Sequence, residues 1–176
     1  SGKSTVTGMV FHILDKLGKN PSVVSGAPIQ SLGENGNFHV GTGEWLVLEA
    51  DESDGTLIKY HPKVGVMLNL DRDHKELDEL EKMFETFRSQ SESFIVWSGQ
   101  ARTRTFSQNQ RLDFGADLNC GFASKGFEAK GFGIEFEFEG SVYQLPCVGA
   151  HNRDNALAAA AACAHVGIPG KDSLRA

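Results

Sequence analysis

Cysteine is scarce in this 176-residue chain: Cys120, Cys147 and Cys163 lie far apart, with no C-x-x-C pair among them. An odd, scattered set excludes a disulfide framework and a structural zinc site, and fits thiols kept reduced. Positive charge is short as well. Lysine and arginine number 17 against 23 aspartates and glutamates, giving a formal charge of −6 and a pI near 5.5. That balance argues against a nucleic-acid surface, which favours a basic face. No apolar run approaches the roughly 20 residues of a membrane span, and the N-terminus lacks the charged-then-apolar order of a signal peptide. These absences point to the cytoplasm, with no nucleic-acid partner and no membrane insertion. What is present suffices for one globular domain, since 40% hydrophobic residues over this length can build a real core.

Strand and helix signals alternate through the first half of the chain. Met9, Val10, Ile13 and Leu14 have helical spacing, stopped by Gly18-Lys19-Asn20-Pro21. Residues 22–26 read as a short strand, and the Gly- and Asn-rich stretch 30–43 as a loop or loose hairpin. Residues 45–50 are an apolar run ending in acid and residues 64–70 an apolar run followed by Asp71-Arg72-Asp73-His74, the pattern of buried parallel strands. Leu77, Leu80, Phe84 and Phe87 form one face of an amphipathic helix, and residues 94–97 another short buried strand. Residues 98–130 lose period and are expected to hold short strands and loops. Phe132, Ile134, Phe136 and Phe138 then alternate with Gly or Glu, a half-buried strand turned back by Glu139-Gly140-Ser141. An Ala-rich helix follows over 155–166, stopped by Gly167-Ile168-Pro169-Gly170 and leaving a polar tail. The expected fold class is α/β: a P-loop-type, mostly parallel sheet flanked by helices, with an additional smaller antiparallel β portion.

Three clusters carry candidate chemistry. Ser1-Gly2-Lys3-Ser4-Thr5 reads as the last part of a phosphate-binding loop, G-x-x-x-x-G-K-[ST], opening a helix. There Gly2 would let the backbone approach a nucleotide, Lys3 would sit on the β- and γ-phosphates, and Ser4 would hold magnesium. A helix N-terminus adds unpaired N–H groups and a positive dipole end. Glu49, Asp51, Glu52 and Asp54 crowd the end of an apolar strand, where open α/β sheets place ligands. Period-2 alternation puts Glu49 and Asp51 on one side, with magnesium as the natural guest of one or two such carboxylates. The plain structural alternative is a solvated acidic turn with Asp54 as a helix cap. His74 follows the next strand. His151, Asn152 and Asn155 open the last helix, and the two amides fall on one face, suited to adenine or to capping.

These pieces occur together in the order seen in the Mur ligases. Gly2-Lys3-Ser4-Thr5 resembles the end of the G-T-x-G-K-[ST]-[ST] loop, and Glu49-Ala50-Asp51-Glu52-Ser53-Asp54 the E-A-D-E-S-D segment of the branch that adds L-alanine. Residues 69–74 resemble T-N-[IL]-x-x-D-H, and residues 149–159 resemble G-x-H-N-x-x-N-A-L-A-A. The resemblance implies that the chain is the central ATP-binding domain, beginning inside the phosphate loop, with a UDP-sugar domain and an amino-acid domain as its partners in the whole enzyme. It implies ATP and Mg2+ as cofactors. Gly2, Lys3, Ser4, Thr5, Asn152 and Asn155 would bind the nucleotide; Ser4, Glu49 and His74 would bind the metal; Lys3, His74 and His151 would serve catalysis. The implied reaction joins L-alanine to UDP-N-acetylmuramate through an acyl phosphate, as a step of peptidoglycan synthesis. Little turnover and weak nucleotide binding are expected of the chain alone, and an apolar face is expected where neighbouring domains would pack. A murein-tripeptide recycling ligase is the alternative within the same chemistry, and a non-catalytic nucleotide-binding module the alternative outside it.

Overall fold

The computed structural model describes residues 2–33, 36–53, 55–70 and 77–176. Helix α1 (Lys3–Lys16) starts on Gly2, whose φ of 96° is a left-handed conformation that a side chain would strain. It buries Val6, Phe11, Ile13 and Leu14 and stops at Gly18, another left-handed glycine. The chain then forms β1 (Ser22–Val24), β2 (Phe38–His39) and β3 (Leu46–Leu48). β1 is central in this sheet, parallel to β3 in the register Val23–Val47 and antiparallel to β2. The expected loose hairpin over 30–43 is thus a 3-10 turn, Gln30–Leu32, followed by a return strand against β1.

Strands β4 (Val64–Met67) and β5 (Ser93–Val96) pair in parallel across helix α2 (Leu77–Gln90). Alternation along them divides the core between two layers. Phe94, Val96 and Met67 face α2, where they pack with Leu80, Phe84 and Phe87. Ile95, Val64 and Val66 face the other side, with Val6 of α1 and the last long helix. Helices on both faces are what an all-parallel pair requires. A short helix α3 (Ala101–Arg104) leads to β6 (Phe114–Gly115) and β7 (Phe122–Ala123), parallel to each other and joined to β5 by a Trp97–Phe114 bridge. The antiparallel portion is β8 (Lys125–Lys130), β9 (Gly133–Phe138) and β10 (Ser141–Leu145), with β9 in the middle. Glu139 and Gly140, both at positive φ, make the two-residue turn between β9 and β10.

Helix α4 (Ala150–Ala164) joins these layers. Its buried alanines and Leu157 let β9 (Ile134, Phe136, Phe138), Phe114 and α1 approach it closely from different sides. The α/β class expected from sequence is the class observed. Four local expectations are corrected. Strand β3 is not fully buried: Leu46 is 60% and Leu48 36% exposed, because they lie with Val24 and Phe38 on the exposed face of this sheet. Phe132 is 92% exposed, at the tip before β9 rather than in its inward row. Residues 98–130 hold helix α3 and the long strand β8, whose residues are all exposed and so carry no alternation to read. The polar tail is helix α5 (Gly170–Ser173), with Ser173 and Leu174 buried.

Candidate functional site

The start of α1 meets the carboxyl end of β3. Glu49, the first residue past β3, is held by three donors: Ser4 Oγ donates to Oε1 at 2.8 Å, while the Gly26 N–H at 2.6 Å and Ser25 Oγ at 3.1 Å donate to Oε2. Ser25 and Gly26 directly follow β1, so two parallel neighbours end together and one carboxylate ties both to α1. Gly26 suits this close approach, since a Cβ there would sit a tight 3.1–3.2 Å from the Glu49 carboxylate. Sequence reading missed both residues. The signal was there in principle, because adjacent parallel strands end on one rim.

Lys3, one residue before Ser4, reaches the same acidic segment. Its Nζ donates to Glu52 Oε2 at 2.7 Å and lies 3.5 Å from Asp51 Oδ1. Burial by itself would lower the Lys3 pKa, but the hydrogen bond and charge of Glu52, with help from Asp51, outweigh it and hold the ammonium above its ordinary value. Asp51 is held below the ordinary carboxylate range, chiefly because the Ser53 N–H donates to Oδ1 at 2.9 Å and also through Lys3. β3 ends at Leu48, so strand alternation does not extend to Asp51; the acids instead follow the chain round α1, Glu49 on Ser4 and Glu52 on Lys3. Lys3, Glu49 and Glu52 line one end of a cavity of about 620 Å³ between β3 and β4.

Asn155, buried on α4, closes the rim from the other side: a Cβ on Gly2 would lie 2.8 Å from its Oδ1. Its Nδ2 donates to Asn152 Oδ1 at 3.1 Å, and Asn152 Nδ2 donates to the Val148 carbonyl at 2.9 Å, so the two amides form a short relay onto the loop before α4. His151 is exposed, its ring against Gly149; no described contact joins it to Lys3 or Glu49. Thr5 is exposed in the first turn of α1. His74, Ser1 and Asp54 lie outside the described residues.

The donor set suits a hydrated magnesium carried on phosphates. Ser4 and Glu49 are one hydroxyl and one carboxylate in contact, beside an ammonium and the unpaired amides of a helix start. Among the described residues no group of three histidines, cysteines or acids could hold a metal, and His74, the third ligand the resemblance implies, lies outside them. The three cysteines are free; Cys120 and Cys163 are buried, and burial pushes the Cys163 thiol up to about 12, so they read as packing residues.

A family model described as the Mur ligase middle domain matches residues 1–163. The UDP-N-acetylmuramate–L-alanine ligase of Synechococcus elongatus is 36% identical over 179 residues, covering 95% of this chain and 37% of that protein. Its counterpart in Cereibacter sphaeroides is 33% identical over 196 residues, covering 99% of this chain and 41% of that protein. The chain therefore spans about two fifths of the length of the curated relatives it matches. Among solved structures, the UDP-N-acetylmuramate-alanine ligase of Thermotoga maritima superposes with a TM-score of 0.86 at 26% identity, covering 99% of this chain and 42% of that one. From the glycine that opens α1 to the alanines of α4, this chain belongs to the Mur ligase middle-domain family.

Proposed function

We propose that this chain is the ATP- and Mg2+-binding part of a ligase that joins L-alanine to UDP-N-acetylmuramate in peptidoglycan precursor synthesis, in the cytoplasm. The observation that carries the reading is the Ser4–Glu49 hydrogen bond at the start of α1, with Lys3 alongside. Gly2 and the first amides of α1 would receive phosphate oxygens, Lys3 would neutralise the outer phosphates, and Ser4 and Glu49 would hold the metal. ATP supplies the phosphoryl group, and magnesium spreads the charge that builds on it. The residues of this chain would position and neutralise, which is most of what phosphoryl transfer asks of a protein. Asn155 lies nearest Gly2 and would meet the nucleotide from α4, with Asn152 steadying it. On the strength of family resemblance alone, His74 is proposed beside the metal and the γ-phosphate, and His151 at the metal and acyl-phosphate site. The sugar nucleotide and the amino acid would be delivered by further regions such as those its longer relatives carry, and the isolated chain is expected to turn over little.

Grafting this chain in place of the matching segment of the Synechococcus elongatus ligase tests the reading. Phosphate release that requires both UDP-N-acetylmuramate and L-alanine is the expected result, falling by a factor on the order of 10²–10³ in Glu49→Gln. A graft that folds and binds nucleotide yet releases no phosphate with either L-alanine or a tripeptide would leave a nucleotide-binding module instead.

A further inference from the structure

The chains of β4 and β5 part at the rim where α1 begins. Their ladder ends with the Trp97 N–H on the Met67 carbonyl at 2.9 Å. The next amide of the β5 chain, that of Ser98, turns away to the Phe114 carbonyl at 2.8 Å. Leu68 and Leu70 lie beyond β4, yet both are placed by specific contacts. Leu68 packs against the cluster of Val6 and Leu157, and a Cβ on Gly2 would lie 3.6 Å from its Cδ1. Leu70 is buried in the cluster of Leu80, Phe84 and Phe106, and its N–H donates to Gln100 Oε1 at 3.0 Å. A side chain from a distant part of the sequence thus does for Leu70 what a neighbouring strand does within the ladder.

Gln100 is itself held. It precedes α3 in an extended conformation, and its carbonyl accepts from the Arg104 N–H at 3.2 Å. The hydroxyl of Thr103, a fully buried residue, lies within hydrogen-bond reach of the Gln100 and Trp97 carbonyls. Arg104 Nη1 donates to the Ser98 carbonyl at 2.6 Å. Helix α3 therefore engages the carbonyls of Trp97, Ser98 and Gln100, and Phe106 just after it packs edge-on to Phe84 in the core. An amide side chain on so constrained a turn is a fixed arm.

We propose that Gln100 is a positioning residue of the nucleotide site. Through the Leu70 N–H it fixes the end of the β4 chain, and so keeps Leu68 beside Gly2, where phosphate oxygens would approach. Asn155 and Leu68 are the side chains nearest that glycine, and of these only Leu68 sits on the chain that Gln100 holds. That role rests on the proposed function, since bound phosphate is what makes the Leu68–Gly2 contact matter.

The test titrates ATP with Mg2+ into the intact 15N-labelled chain and fits the dissociation constant from the amide shifts of Gly2, Lys3 and Ser4. Gln100→Met keeps the length of the side chain and removes the acceptor; it is expected to weaken binding about five- to tenfold. Gln100→Glu keeps an acceptor and should stay within about twofold of the parent. Leu68→Ala should reproduce the loss, and Gln100→Met added to it should cost little more, because both act on one contact. Urea unfolding of each variant separates positioning from scaffolding. A Gln100→Met chain that is less stable yet binds ATP like the parent overturns the inference, as does an equal loss in Gln100→Glu. Should Gln100→Met fail to fold, parent-like binding by Leu68→Ala overturns it alone. If ATP moves none of these amides in the parent, the functional reading itself fails and this inference with it.

Discussion

A carboxylate that accepts three hydrogen bonds is fixed in orientation before any ligand arrives, and Glu49 is such a group. Lys3 differs, since its ammonium is held by exposed carboxylates that a phosphate must displace. Exposed ion pairs contribute about 0.2–1 kcal/mol, so Glu52→Gln should tighten binding of metal-free tripolyphosphate about two- to fivefold in calorimetry, and Asp51→Asn by less. Unchanged or weaker binding in Glu52→Gln would mean that Glu52 does not compete with phosphate. His165 offers a test of a different kind. Burial lowers its pKa, so in acid the unfolded chain takes up a proton sooner than the folded one. Its contribution is therefore lost as pH falls from about 6.5 through the depressed folded value, and none of it changes above that window. Urea unfolding at pH 7.5 and 5.5 should show a smaller pH dependence in His165→Asn than in the parent. At this scale the sequence singled out Ser4 and Glu49, which the structure brings into contact, because both sit in short local patterns. Ser25, Gly26 and the pairing of Lys3 with Glu52 were not legible, because each depends on which strand lies beside which.

Elements were readable where burial has a period. The alternation of β9 and the apolar face of α2 are visible in the letters, and Ile134, Phe136, Phe138, Leu80, Phe84 and Phe87 are buried as that alternation requires. β8 was invisible because all six of its residues are exposed, and α3 and α5 because four residues hold too little pattern. The alanine run of α4 was legible as helix but not as the centre of the molecule. That role comes from side-chain size, since alanines let β9 and α1 close in from different sides. Ala160 is fully buried, so Ala160→Leu should cost about 1–3 kcal/mol in urea unfolding through overpacking. A cost near zero would show slack that these contacts do not suggest.

For the whole molecule, one face of the first sheet stands out. Phe38, Val24, Leu48 and Leu46 share it by register and are all exposed, whereas Val23 on the opposite face is fully buried under α1. The overall class was legible because strands and helices alternate along the chain. No helix among the described residues is long and apolar enough to cross a membrane.

The reading as a metal–phosphate site is tested most directly by paramagnetic broadening. Mn2+ replaces Mg2+ at a few mole per cent, and the backbone amides of the 15N-labelled chain are followed with and without ATP. Broadening should appear with ATP at Ser4, Gly26 and Glu49, and vanish in Glu49→Gln. Broadening elsewhere, or broadening at these amides that survives Glu49→Gln, would contradict it.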